Sequence, residues 1–474
     1  MRSTVGWGCS CRLSVLLAAS VVVLPACSPD ADSGTDGGGS CTTSSCSAHC
    51  IGVGRAGGHC EGDLCMCEGT PDGGGDGDAD GDVGEDVSGR VTRMTGKVWS
   101  PGGIVPISGA LVYFATDDPP PIPSGAYPET CIDPPSSFFV KSDPDGSFEL
   151  DVLPGDYRLV VQKGQFRRVR DVTVPAGGGP VEIPFESTTL PSANGDGDTI
   201  PHIALVWALS GGDHIEDVLA KMQMGDLVGN RLSRGSEQFD LYNTSPYPPN
   251  TELLQNLSRM LEYHIIFFPC TVWFGGMDGE QLNDPTGPLA DPAVLENLRS
   301  FVNAGGKIYA TDMMYDIFEQ PMPEYVDICG DDATLNAGDE EAWAHSETMS
   351  GWTSNGQSID PDLTAWLEAI GVPPTSIQFR GTFVWIEGLL DAPDPGPTDP
   401  VPPKTWVTGD FVLDRGRTLP LTVTFPYGAG KVLYSTYHTV GDATGEPGHT
   451  GILPQEYVLI YLIMEIGVCQ APIF

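Results

Sequence analysis

Three residues stand at the ends of apolar, β-like runs and carry side chains capable of nucleophilic or metal chemistry. Cys270 follows "HIIFFP", Asp312 follows "KIYAT" and His438 follows "KVLYSTY". A thiol, an imidazole and a carboxylate are a nucleophile, its base and the base's orienter. In that reading Cys270 attacks, His438 takes its proton and Asp312 holds the ring. A second chemistry competes for the thiol. In an oxidising space Cys270 and Cys329 pair as a disulfide, and this is the expected state. A third joins Asp312 and His438 to Asp442 as metal ligands, whose types suit a transition metal. A lone strand-end histidine is more often a hydrogen-bonded structural residue, and neither metal nor cofactor is expected.

The compartment is read from the N-terminus. Arg2 and Arg12 are basic, and Leu13 to Leu24 form an apolar run of signal-peptide length. The run ends "LPAC", which resembles a bacterial lipobox. The resemblance implies that residues 1–27 are a lipoprotein signal and that Cys27 carries the lipid, palmitate included. Ser28 stands where an aspartate would retain the protein in the inner membrane. The expected place is the cell envelope, anchored by lipid to the outer membrane and facing periplasm or exterior. No later run offers the roughly 18 apolar residues of a membrane helix.

After a linker over 28–40 come Cys41, Cys46, Cys50, Cys60, Cys65 and Cys67, spaced C-x4-C-x3-C-x9-C-x4-C-x-C. Paired C-x2-C zinc knuckles are missing, and thiols outside the cytoplasm oxidise. C-x3-C shares one face of a helical turn and C-x-C one face of a strand, so two bridges can staple helix to strand. Fifteen pairings remain open. With "GHC" before the second half, the module 41–67 resembles the cysteine-stabilised αβ fold of defensins. That resemblance implies Cys41–Cys60, Cys46–Cys65 and Cys50–Cys67. The cationic surface of antimicrobial members is missing, so the module reads as a protease-resistant knob. Cys131 and Cys469 have no assigned partner.

The chain holds 64 acidic against 23 basic residues, a formal charge of −41. Nucleic acid and anionic lipid are poor partners for that field. Residues 68–92 concentrate the acid in a linker without apolar anchors. Within it Asp76, Asp78 and Asp80 open a calcium-loop pattern, but Val87 occupies its twelfth position. A solvated tether is the expectation.

Residues 93–190 are short β-rich runs between Gly, Pro and Asp. "DGSFEL" and "LPGDYRLVV" resemble hallmarks of the carboxypeptidase regulatory-like, transthyretin-like β-sandwich. The resemblance implies a spacer or partner-binding module without catalytic residues. A second linker is expected over 191–199. From residue 200 to 474, fully apolar runs such as "HIALVWAL" alternate with helical spacing, which argues a doubly wound α/β sheet. In "DPAVLENLRSFVNAGG", Asp291 is the expected N-cap, Pro292 the first helical residue and Gly305 the terminator. Residues 326–415 read as an insertion.

"LRSFVNAGGKIYATDMMYDIF" and "GAGKVLYSTYH" resemble the class I glutamine amidotransferase-like fold, of trehalose-utilisation type. The resemblance places Asp312 where the nucleophilic cysteine belongs, Met314 where a glycine belongs, His438 at the catalytic base and Val440 at its acid. The triad is therefore lost. Trp273, Phe274, Trp343, Trp352, Trp366, Trp385 and Trp406 fit a ligand platform or a core, and core is the expectation. The whole reads as a multidomain, lipid-anchored surface protein, non-catalytic, with a glycan or protein as ligand. The alternative is an envelope hydrolase acting on a sugar or amide through His438 with Cys270 or Asp312.

Overall fold

The computed structural model describes residues 57–61, 64–68, 91–128, 134, 136, 138–177, 179–207, 212–242, 248, 250–270, 287–328, 352–390, 402–410, 417–439 and 451–467. The chain divides into two units, Met1–Ala79 and Asp80–Phe474. It is a β-rich protein with several separate sheets. Among the described residues no helix is long and apolar enough to cross a membrane.

In the first unit, β1 (Gly57–Glu61) pairs antiparallel with β2 (Leu64–Glu68), with Cys60 opposite Cys65. Cys65 and Cys67 thus lie on the strand that their spacing requires. Cys27, Cys41, Cys46, Cys50 and the three acids of the calcium-loop pattern lie outside the described residues.

The second unit opens with two small sheets. Its strands are β3 (Thr92–Lys97), β4 (Leu111–Ala115), β5 (Phe139–Lys141), β6 (Ser147–Val152), β7 (Gly155–Lys163), β8 (Phe166–Val174), β9 (Val181–Glu182) and β10 (Asp198–Thr199). One sheet runs β10-β8-β7-β4-β5 and the other β6-β3-β9. The period of two decides the packing. Leu159 and Val161 of β7 enter the main core with Val112 and Phe114, while Val160 turns to Tyr113 and Ala115 on the other face. The "DGSFEL" start is a turn in which Asp145 Oδ1 accepts from the Ser147 amide at 2.9 Å. Gly146 there has φ +83°, and a Cβ on it would lie 2.6 Å from the Val98 carbonyl.

The expected linker over 191–199 is instead held to this sheet. β10 pairs with β8, and Asp198 accepts a two-pronged contact from Arg168 at 2.8 and 3.0 Å and a third bond from Arg170 at 2.9 Å. An Asp/Gly-rich stretch looks solvated in sequence, but two arginines on the facing strand give its acid a fixed place.

The remaining strands are β11 (Ile203–Val206), β12 (Leu227–Val228), β13 (Arg231–Leu232), β14 (Asp240–Tyr242), β15 (Ile265–Phe268), β16 (Lys307–Thr311), β17 (Val326–Ile328), β18 (Trp352–Ser358), β19 (Ile377–Thr382), β20 (Ile386–Leu389), β21 (Lys404–Asp410), β22 (Thr418–Tyr427) and β23 (Gly430–Ser435). Nine of them form one sheet, β14-β11-β15-β16-β23-β22-β21-β18-β19. The first five are mutually parallel and the last four antiparallel. Within the segment 326–415, β17 and β20 pair with each other apart from this sheet. The same segment supplies β18, β19 and β21 to the antiparallel half.

Alternate residues of the parallel strands serve different cores. Ile203, Leu205, Ile265, Phe267 and Leu433 face helices Ile215–Lys221, Pro361–Ala369 and Pro454–Ile466. Ala204, Ile266, Phe268, Ile308 and Val432 face helix Pro292–Asn303 and its neighbours. Helix Pro292–Asn303 starts and stops as its sequence predicts. The Asp291 carboxylate accepts from Ala293 N at 2.9 Å, and Gly305 beyond the end has φ +106°. "TELLQNLSRML" departs from its expected single helix. Asn256 accepts from the Arg259 amide and caps a new turn, splitting it into Asn250–Leu254 and Leu257–Met260.

The two-sheet lobe and the large sheet share one hydrophobic core. Lys163 at the end of β7 also reaches Glu465 of the last helix at 2.7 Å.

Candidate functional site

The three residues singled out in sequence converge. Cys270, Asp312 and His438 lie beyond the C-terminal ends of β15, β16 and β23, which are neighbours in the sheet. That edge is where open α/β sheets hold their sites. All three side chains are buried, and their ligating atoms lie within 4.8 Å of one another.

Asp312 occupies the turn out of β16 with φ +46°, a left-handed conformation uncommon outside glycine. The strained turn points its carboxylate at its neighbours. Oδ1 accepts from the Phe383 amide at 3.0 Å. Oδ2 accepts from the Cys270 thiol at 3.5 Å and lies 3.4 Å from His438 Nε2. Neither ring nitrogen of His438 makes an aligned hydrogen bond among the described residues. The imidazole is clamped by shape instead. Phe383 lies against it, with ring centroids 5.7 Å apart, and the bare Cα of Gly381 closes the other approach.

Burial pushes the Cys270 thiol up to about 11, with Asp312 adding to the rise and His438 opposing it. Burial also raises the Asp312 carboxyl, against the pull of His438. For His438 burial acts downward, but Cys270 and Asp312 outweigh it and hold the imidazole above its ordinary range. The thiol therefore stays protonated at neutral pH. A cysteine protease arrangement differs in its geometry: the thiol meets one ring nitrogen and the acid the other. Here the thiol's aligned hydrogen bond goes to the carboxylate, and among the described residues Nδ1 has no hydrogen-bond partner.

Among the described residues Cys270 is a free thiol. Its expected partner Cys329 lies outside the described residues, as do Cys131, Cys469, Val440 and Asp442.

Asp213, which sequence reading did not single out, stitches the site together. It lies on the segment after β11 and has no exposed area. It accepts from Thr311 Oγ1 at 3.0 Å and from the amide and hydroxyl of Thr439 at 2.9 and 2.8 Å. Its own amide donates to the Cys270 carbonyl at 2.8 Å, and Thr311 Oγ1 accepts from the Cys270 amide at 2.8 Å. Four strand ends are thus tied by one acid. A single Asp in "SGGDH" carries no spacing signal that distinguishes it from a loop acid.

A second cluster follows at the head of helix Ile215–Lys221. Glu216 Oε1 accepts from Trp207 Nε1 at 3.0 Å and contacts His214 Nδ1 at 2.8 Å. Asp217 beside it is taken by Arg231 at 2.9 Å. Of the aromatics read as core or platform, Trp366, Trp385 and Trp406 are buried. Trp273, Phe274 and Trp343 lie outside the described residues.

No family model matches the chain, and no curated protein matches it. Among solved structures it is similar to a cytoplasmic protein from Salmonella typhimurium (11% identity, TM-score 0.31), covering 56% of this chain and 98% of that one. It is also similar to the cold-adapted β-galactosidase from Rahnella sp. R3 (12% identity, TM-score 0.28), covering 56% of this chain and 32% of that one. A cohesin–dockerin complex from Acetivibrio cellulolyticus matches at 14% identity and TM-score 0.15, over 31% and 88%. Similarities this low fix neither the fold nor the function of the chain.

Proposed function

We propose that the protein is a lipid-anchored cell-envelope surface protein that works by binding, without catalysis. It would carry Cys27 in the outer membrane, a defensin-like disulfide knob, a regulatory-like β-sandwich and an amidotransferase-like domain that has lost glutaminase chemistry. The observation that carries this reading is the aim of the Cys270 thiol. It donates to a carboxylate inside a sealed site, where a nucleophile would need an open approach and an aligned base. The parallel strands support the doubly wound assignment, because their order along the sheet is second-first-third-fourth-fifth, that of flavodoxin-like folds. The ligand class is a glycan or a protein.

The convergence of Cys270, Asp312 and His438 supports a second reading, a hydrolase of envelope amides or sugars. One experiment separates the two. The purified chain is assayed on glutamine, peptide amides and envelope glycans, with Cys270→Ala, Asp312→Asn and His438→Ala beside it. The expected result is no turnover by any of them, and turnover lost in the variants would establish the hydrolase. Detergent partition of Cys27→Ser reports the anchor separately, through a shift to the aqueous phase.

A further inference from the structure

The buried trio has one property that a merely vestigial triad does not need: the two distances from its carboxylate oxygen match edges of a coordination tetrahedron. The thiol sulfur and Asp312 Oδ2 are 3.5 Å apart, and Asp312 Oδ2 and His438 Nε2 are 3.4 Å apart. A tetrahedral ion with bonds of about 2.3 Å to sulfur and about 2.0 Å to nitrogen and oxygen separates its ligand atoms by roughly 3.3–3.5 Å. The geometry points to Cys270, Asp312 and His438 as three protein ligands of one zinc-type divalent ion.

Three further observations agree. Both nitrogens of His438 are buried without a hydrogen-bond partner among the described residues, and Nε2 lies 3.4 Å from Asp312 Oδ2. A buried ring nitrogen left in that state is costly, and ligation satisfies Nε2. The carboxylate is oriented from behind, since the Phe383 amide holds Oδ1 and leaves Oδ2 for the ion. The donor set of sulfur, nitrogen and oxygen suits zinc or cobalt, while calcium and magnesium require six or more oxygens.

Ligation releases the thiol proton to solvent and leaves a metal-bound thiolate. A water molecule would complete the fourth position. The ion then pins the ends of β15, β16 and β23, and it shields a reduced thiol from oxidation. This site goes beyond the binding role proposed above and does not depend on it.

The test uses the full chain, stripped with a chelator, desalted and titrated with Co²⁺. Expected is one tightly held equivalent with a near-ultraviolet sulfur-to-cobalt charge-transfer band and the strong visible bands of a tetrahedral site. Zn²⁺ should bleach both. Cys270→Ser should abolish the charge-transfer band and His438→Gln should weaken cobalt binding at least tenfold, with far-ultraviolet dichroism checking that each variant folds. If one variant does not fold, the other with Asp312→Asn carries the comparison. A wild-type chain without the bands, or bands that persist in both Cys270→Ser and His438→Gln, overturns the site. Amide hydrolysis measured on the same samples reads the non-catalytic proposal independently: hydrolysis that requires Cys270 sinks that proposal whether or not cobalt binds.

Discussion

Trp366 donates its indole N–H to the carbonyl of Pro106 at 2.7 Å, joining helix Pro361–Ala369 of the large sheet to the two-sheet lobe. The indole has no exposed area and lies 5.3 Å, centroid to centroid, from the ring of Tyr461. Trp366→Ala should destabilise the protein by about 3–5 kcal/mol and Trp366→Phe by about 1–2 kcal/mol. Denaturant unfolding should also show a single transition for Asp80–Phe474, because both lobes share a core. Two separated transitions in the wild type would refute the joint.

Removing Asp213 should be costly in a way that exposes Cys270. Asp213→Ala leaves the buried Thr439 amide and two hydroxyls without their acceptor. The loss should be about 3 kcal/mol. Alkylation of the Cys270 thiol in native buffer should accelerate in parallel. Equal alkylation rates in variant and wild type would show that Asp213 does not hold the site closed.

Gly381→Ala tests the clamp on His438. Gly381 has φ +73°, and a Cβ there would lie 2.8 Å from His438 Cγ. Backbone strain and displacement of the ring add, so a loss of about 2–3 kcal/mol is expected. Thermal unfolding checks it. A neutral result would mean that the ring moves freely.

Two buried groups should shape the pH dependence with opposite signs. Burial pushes Glu456 up to about 7 from 4.5, and its bond to Lys221 at 2.7 Å only partly opposes this. Its stabilising contribution is complete below pH 4.5 and lost as pH rises through 7. Burial pulls His264 down to about 4 from 6.5. Its neutral ring accepts from the His202 amide and donates to the Pro123 carbonyl, each at 2.8 Å. That contribution is complete above pH 6.5 and lost as pH falls through 4. Each is worth up to roughly 3 kcal/mol. In melting curves from pH 4 to 8, Glu456→Gln should flatten the change between 4.5 and 7, and His264→Asn the one below 6.5. Unchanged slopes would remove these groups as the cause.

What was legible in the sequence was local. The apolar runs at Ile203, Ile265 and Lys307 read as buried strands because burial on both faces leaves no polar alternation. Asp291, Pro292 and Gly305 marked a helix through backbone rules that need no neighbours. The site residues could be found because strand ends can be counted. Contacts across the chain could not. Asp213 became a hub only through Thr311 and Thr439, and Asp198 acquired its role from arginines about 30 residues earlier. Residues 326–415 looked like an insertion because Asp, Pro and Gly interrupt their strands, although β18, β19 and β21 continue the main sheet.

The pairing of Lys163 with Glu465 spans 302 residues of chain. A ribosome delivers Lys163 long before its acid exists. The buried ammonium at the end of β7 must wait until helix Pro454–Ile466 is made, so the early lobe reaches its finished state only after that helix emerges. A chain stopped short of Glu465 would leave that ammonium without its partner.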